Sequence, residues 1–199
     1  MPSPLHADAV RALSAWAAPD ETQEALRSAY LEHLERHDDG LLVTCVPAHL
    51  TASAMVLDAA GERVLLTLHR KGGFWSQLGG HVEPGDATLA AAALREAREE
   101  SGIPGLRLVG EAPVDLDRHL LSAAFGRCGE HLDVRYAAVA PVGAQPAISD
   151  ESDDLAWFGL DALPDGAVED LGTLVRRAAV ALAQESDRPS PDAADTPSR

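Results

Sequence analysis

From Ala7 to about His37, apolar residues return at helical spacing: Val10, Leu13 and Trp16, then Leu26, Tyr30 and Leu34 beyond a break at Pro19 and Asp20. Steps of three and four residues place such side chains on one face of a helix, so this segment predicts two amphipathic helices. The turn sequence His37-Asp38-Asp39-Gly40 follows, and the pattern then changes. The runs LLVTC (41–45), ASAMVL (52–57) and RVLLTLH (63–69) are short and aliphatic and read as strands, with a hairpin turn at Asp58-Ala59-Ala60-Gly61 between the last two. The glycine-rich stretch from Gly72 to Gly85 predicts a loop. Thr88 to Ser101 predicts a helix, favoured by its alanines and stopped by Gly102 ahead of Pro104. Further strands are predicted near 107–110, 113–121, 132–139 and 155–158, and a last amphipathic helix over about 168–184. No internal repeat is visible.

Length and composition turn this pattern into a domain plan. With 199 residues and 46% apolar content, the chain suits one domain with an extension. The plan is an N-terminal helical extension over 1–40, a principal domain over 41–184, and a tail over 185–199 whose Pro, Ser and Asp content cannot bury a core. Sixteen Lys and Arg against 32 Asp and Glu give a net charge of −16, which repels a polyanion over most of the surface. Polymeric nucleic acid is thus excluded as a first partner. A small phosphorylated ligand stays compatible, because bound divalent cations reverse the field inside a carboxylate cluster. Cys45 and Cys128 show neither metal-like nor disulfide-framework spacing, as in a reduced cytoplasm. The first twenty residues lack a basic leader and no stretch approaches the roughly 18 apolar residues of a membrane span. A soluble cytoplasmic protein without a membrane partner is expected, and a homodimer is left open.

The chemistry concentrates in residues 79–103, GGHVEPGDATLAAAALREAREESGI. At 3.6 residues per turn, the pairs Arg95/Glu99 and Glu96/Glu100 each lie one turn apart, so three carboxylates share one side of the predicted helix. The opposite side, Leu89, Ala90, Ala93, Leu94 and Ala97, is apolar and mostly small, and suits close packing on a sheet. Like charges at this spacing repel, and Mg²⁺, which takes oxygen ligands and shares them with substrate phosphates, is the natural counter-ion. Gly79, Gly80 and Gly85 would let the preceding backbone approach and offer a carbonyl. A glutamate-rich helix face is ordinarily just a solvated one, so the spacing alone does not establish a site.

The same segment resembles the Nudix box, G-x5-E-x7-R-E-U-x-E-E-x-G-U with U apolar. The ending REAREESGI fits position by position from Arg95 to Ile103. Two departures stand at its start: the first acid is Asp86 instead of Glu, and eight residues rather than seven separate it from Arg95. Asp86 or Thr88 is therefore read as the helix cap, and Asn in place of Asp86 is expected to be tolerated. The resemblance continues loosely through HRKGGFW before the box and SDESDDLAWFGLDALP after it, covering about 48–184. It implies an α/β fold, the Nudix α/β/α sandwich with a mixed β-sheet flanked by helices. It also implies Mg²⁺-dependent hydrolysis, with Mn²⁺ as the alternative ion, of a diphosphate linkage in a small nucleotide-like substrate. Glu99 and Glu100 would be the principal metal ligands, Glu96 a further ligand or the base, Arg95 the group that orients Glu99, and the carbonyl of Gly79 or Gly80 an additional ligand. In some members of the family the base comes from a late loop, for which Asp150, Glu151, Asp153 and Asp154 are available, with Glu151 favoured. Two competing readings are a catalytically silent Nudix domain that senses a nucleotide metabolite, and an isopentenyl-diphosphate isomerase. The first usually lacks box acids that are present here, and the second needs a cysteine pattern that Cys45 and Cys128 do not reproduce.

Other residues carry weaker signals. His81, His119 and His131 are of metal-ligating type but follow no zinc-like spacing, and a packing or surface role is the expectation for each. Arg70 and Lys71 are candidates to grip phosphate or to end a strand, Trp75 to stack on a base or fill the core, and Arg135 to face a sheet partner or the substrate.

Overall fold

The structure, a computed structural model, describes residues 2–121, 128–148 and 152–187. In chain order its elements are α1 (Pro4–Ala15), α2 (Glu21–Arg36), β1 (Ala48–Leu57), β2 (Arg63–His69), β3 (Trp75–Ser76), β4 (Leu78–His81), α3 (Leu89–Ser101), β5 (Arg107–Leu108), β6 (Asp115–Leu120), β7 (Glu130–Val139), β8 (Ser152–Gly159) and α4 (Leu171–Ser186).

The two long strands β1 and β7 lie parallel at the centre, in register from Ala48 opposite Glu130 to Leu57 opposite Val139. The other pairings are antiparallel: β1 with β2 and β4, β2 with β3 and β8, and β7 with β5 and β6. The sheet is therefore mixed. Because side chains alternate across a strand, β1 serves two cores at once. Leu50, Ala52, Ala54 and Val56 pack with Leu89, Ala92, Ala93 and Ala97 of α3, while Met55 and Leu57 pack with Leu171, Leu174, Val175 and Ala178 of α4. One helix layer on each face gives the expected α/β/α sandwich.

The N-terminal helices belong to the α3 side. Leu5, Ala9, Leu13, Tyr30 and Leu34 are buried in the same cluster as the α3 alanines. Polar contacts fix their position: Tyr30 Oη donates to the carbonyl of Asp117 at 2.5 Å, and the Gln23 amide both donates to and accepts from the backbone of Leu116 at 2.9 and 2.7 Å. Leu13 is fully buried, so Leu13→Ala is expected to cost about 2–5 kcal/mol. Native-state proteolysis should leave both helices attached. Early cleavage between them, with the melting temperature of the remainder unchanged, would contradict that docking.

Three expectations are corrected. Residues 41–45 form successive turns instead of a strand, with Leu42 N–H bonded to Asp39 O and Cys45 N–H to Leu42 O at 2.8 Å each. Leu41 and Cys45 are buried there, so their apolarity reflects burial without ladder pairing. The glycine-rich stretch contains β3 and β4, and Gly79 and Gly80 of β4 pair with Ser53 and Ala52. The last helix runs from Leu171 to Ser186, past the expected boundary at 184. The remainder of the predicted tail, 188–199, lies outside the described residues. Among the described residues no helix is long and apolar enough to cross a membrane.

Candidate active site

Local chemistry sets α3 in place. Its N-cap is Thr88, whose Oγ1 accepts the Ala91 N–H at 2.9 Å, and Asp8 of α1 accepts the Leu89 N–H at 3.1 Å. Gly102, at φ 64° in the left-handed region, ends the helix. The three acids are not equivalent on this frame. Glu100 is buried at 9% exposure, and its carboxylate accepts the Gly79 N–H at 2.9 Å, tying the helix to β4. The Glu96 carboxylate lies against Gly80, where a Cβ would come within 2.8 Å of it. At Gly79 a Cβ would lie 2.2 Å from the Cβ of Ser53. Both glycines are thus required by close approach, the first to the acid and the second to the neighbouring strand. Glu99 reaches outward, its side chain 61% exposed.

Arg95 organises the acids. Its guanidinium donates to both oxygens of Asp86 at 3.0 and 2.9 Å, to Glu96 at 2.9 Å, to Glu99 at 3.1 Å, and to the backbone carbonyl of His81 at 2.9 Å. This corrects the reading of Asp86. The capping role belongs to Thr88, while Asp86 forms the two-pronged ion pair that fixes the arginine and also accepts the Glu83 N–H at 2.8 Å. Burial pushes the Asp86 carboxyl up, but the hydrogen bonds from Arg95 and Glu83 outweigh it and hold the group below the usual carboxylate range. The same pairing raises Arg95. Asp86 thus reaches Arg95 despite the extra residue between them.

The donor set fits a hard divalent cation. Glu96 and Glu100 are drawn against β4, and Arg95 gathers Asp86, Glu96 and Glu99, so the donors brought together on this side of α3 are carboxylate oxygens. The late-loop candidates divide. Asp150 and Glu151 lie outside the described residues. Asp153 pairs with Arg70 at 3.0 Å and Asp154 accepts its neighbour Leu155 N–H, so both are engaged locally. Arg70 is thereby occupied at a strand end. Trp75 packs edge-on against Phe158 at 5.0 Å in the α4 core. Arg135 is buried and ion-paired with Asp117 and Asp133 of the sheet and with Asp170 at the start of α4.

Beside β4, the sheet face opposite α3 is polar. Thr51, Ser53 and Gln77 donate to the buried Asp133 at 3.0, 2.6 and 3.1 Å. On the same face His49, His81 and His131 bring one ligand atom each within 4.8 Å of one another. His119 adjoins them, its ring 5.4 Å from that of His131. The scattered histidines of the sequence thus converge, joined by His49, which carried no signal of its own. Burial and the neighbouring imidazoles lower His49 to about 4 and His131 to about 3, whereas a hydrogen bond to Asp117 raises His119. Two cavities, of about 230 Å³ beside Arg63 and Trp157 and about 350 Å³ between Leu5, Leu41 and Asp86, lie apart from Glu96, Glu99 and Glu100.

Comparison with known proteins identifies the family and the fold. Residues 47–178 match the family model for the NUDIX domain. The chain belongs to the NUDIX domain family, that of the Nudix hydrolases. Among solved structures it is similar to a NUDIX-family hydrolase from Clostridium perfringens (22% identity, 68% of this chain and 97% of that one, TM-score 0.53). It is also similar to an Ap4A hydrolase from C. elegans (22%, 68% and 98%, TM-score 0.55) and to the dihydroneopterin triphosphate pyrophosphohydrolase of E. coli (17%, 66% and 94%, TM-score 0.53). At these identities the likeness establishes the fold. No curated protein sequence matches the chain. Helices α1 and α2 precede the family match.

Proposed function

We propose that the protein hydrolyses a diphosphate linkage in a small nucleoside-diphosphate-linked substrate, with Mg²⁺, or Mn²⁺ in its place, held by Glu99, Glu100 and the backbone carbonyl of Gly80, and with Glu96 as a further ligand or the base. The observation that carries this reading is the Arg95 guanidinium joining Asp86, Glu96 and Glu99, with Glu100 anchored on Gly79 N–H. When bound, the divalent ion supplies positive charge against the non-bridging phosphate oxygens and makes water a better nucleophile. Glu96 or Glu151 accepts the proton of the attacking water, the water oxygen bonds to phosphorus, and the bridging P–O bond breaks to release a phosphate-bearing leaving group. Arg95 keeps Glu96 and Glu99 from turning away. The catalytic unit of this reading is the domain expected over 41–184, closed by α4 at Ser186, with the helical extension 1–40 before it and the tail after it. A cytoplasmic setting belongs to it too, with Cys45 and Cys128 both free thiols.

The test is a panel of nucleoside triphosphates, dinucleoside polyphosphates, NAD, ADP-ribose and nucleotide sugars, assayed for released phosphomonoester with Mg²⁺ and again after chelation. At least one member should be cleaved with the ion and none without it. Cleavage of every active substrate at an undiminished rate in chelator would overturn the metal-dependent reading.

A further inference from the structure

We propose that His49, His81 and His131 form a second metal site, separate from the carboxylates of α3, that takes a divalent transition ion such as Zn²⁺ or Co²⁺ and keeps one position open. The placement follows from strand register. His49 of β1 stands opposite His131 of β7, which stands opposite His119 of β6, and His81 of β4 stands opposite Thr51, two residues along β1 from His49. The period of two puts all four on one sheet face, although 82 positions separate His49 from His131.

The three rings form a near-equilateral triangle, with centroids 5.2 Å apart for His49 and His81, 4.9 Å for His49 and His131, and 5.4 Å for His81 and His131. Zinc–nitrogen bonds of about 2.0–2.1 Å bring tetrahedral ligands to about 3.3 Å apart, so the nitrogens, now within 4.8 Å, need only a small inward turn. An independent observation points the same way. His49 is fully buried, yet its Nε2 has no hydrogen-bond partner, while its Nδ1 lies 3.4 Å from Cys128 Sγ. A buried imidazole nitrogen without a partner is costly, and a metal ion would satisfy it.

Three imidazoles select a borderline transition ion over Mg²⁺, which prefers oxygen. The burial gradient, from His49 at the floor to exposed His81 at the rim, leaves the open position facing solvent, as in zinc sites that hold three histidines and a water. His119, whose Nδ1 is held by Asp117 at 2.7 Å, stands beside the three with its ring 5.4 Å from that of His131, outside the ligand triangle. The site adjoins the acid cluster through His81, whose carbonyl accepts from Arg95.

Titration of the full chain with Co²⁺ in excess Mg²⁺ tests the proposal, because Mg²⁺ fills carboxylate sites while imidazole-bound Co²⁺ shows intense visible bands at low coordination number. One Co²⁺ should bind per chain. His81→Ala, at an exposed position, and His49→Gln should each weaken it by at least about 100-fold, more than an outer-shell change usually does. Glu99→Gln should keep the Co²⁺ bands and cost far less affinity than either histidine change, even though Arg95 links Glu99 to the His81 carbonyl, which separates this site from the hydrolase reading. Absence of tight Co²⁺ binding, equal affinity in His81→Ala, or loss of the bands in Glu99→Gln would overturn it. So would loss of the bands in Cys45→Ser, which would move the ion to the nearby His37, Asp39 and Cys45 group.

Discussion

Glu99→Gln is expected to lower metal-dependent turnover by on the order of 10²-fold or more while leaving the fold intact, because it removes charge at the site of transition-state stabilisation and keeps the side chain's size. Glu99 is mostly exposed and takes a single bond from Arg95 at 3.1 Å, so its own contribution to stability is small. Relief of repulsion among the acids offsets part of even that, by a few tenths of a kcal/mol. The check is kcat at saturating Mg²⁺ together with the melting temperature. Undiminished kcat would remove Glu99 from the site.

Arg95→Ala has a different signature, in which activity and stability fall together. The guanidinium satisfies Asp86, Glu96, Glu99 and the His81 carbonyl, and its removal leaves a largely buried Asp86 carboxylate unpaired. A loss of about 1.5–3 kcal/mol is expected from charged hydrogen bonds of this kind, with turnover down at least about 10²-fold. Arg95→Lys should rescue little, since an ammonium cannot reproduce the two-pronged contact with Asp86. The same geometry makes Asp86→Asn more damaging than a cap exchange. Because Asp86 is depressed in the folded state, its contribution is present above its unfolded pKa of about 3.9 and is lost as pH falls through the folded value. Urea denaturation of wild type and Asp86→Asn should therefore differ most near neutral pH and converge in acid. A constant difference across that range would contradict the ion pair as its source.

How much of this was legible in the sequence depended on whether a signal was local. Helix α3 was, since its alanine face, its acids and Gly102 all lie within one segment, and the Nudix resemblance rested on that segment. The sequence offers both Asp86 and Thr88 as caps, because an acid just ahead of a helix resembles one. The folded chain decides between them, with Thr88 as the cap and Asp86 turned to Arg95. Strand β4 was hidden because glycine has little strand preference of its own, and its pairing is imposed by β1 and by the close approach of Ser53 and Glu96. The turns at 41–45 were hidden for the opposite reason, since burial of Leu41 and Cys45 produces the apolar run of a strand without its hydrogen bonds. The histidine cluster is a product of register across β4, β1, β7 and β6, and no spacing along the chain encodes it.

In the proposed reaction, the acids of α3 would hold a divalent ion while water adds across a diphosphate. The most direct measurement is ³¹P NMR of the turnover products of an active panel substrate in ¹⁸O-labelled water. The expected result is one ¹⁸O on a product phosphate, formed with Mg²⁺, abolished by chelation and suppressed in Glu99→Gln. Tight binding of a nucleotide metabolite with no incorporation from any panel member would contradict the hydrolase account and leave a sensor domain in its place.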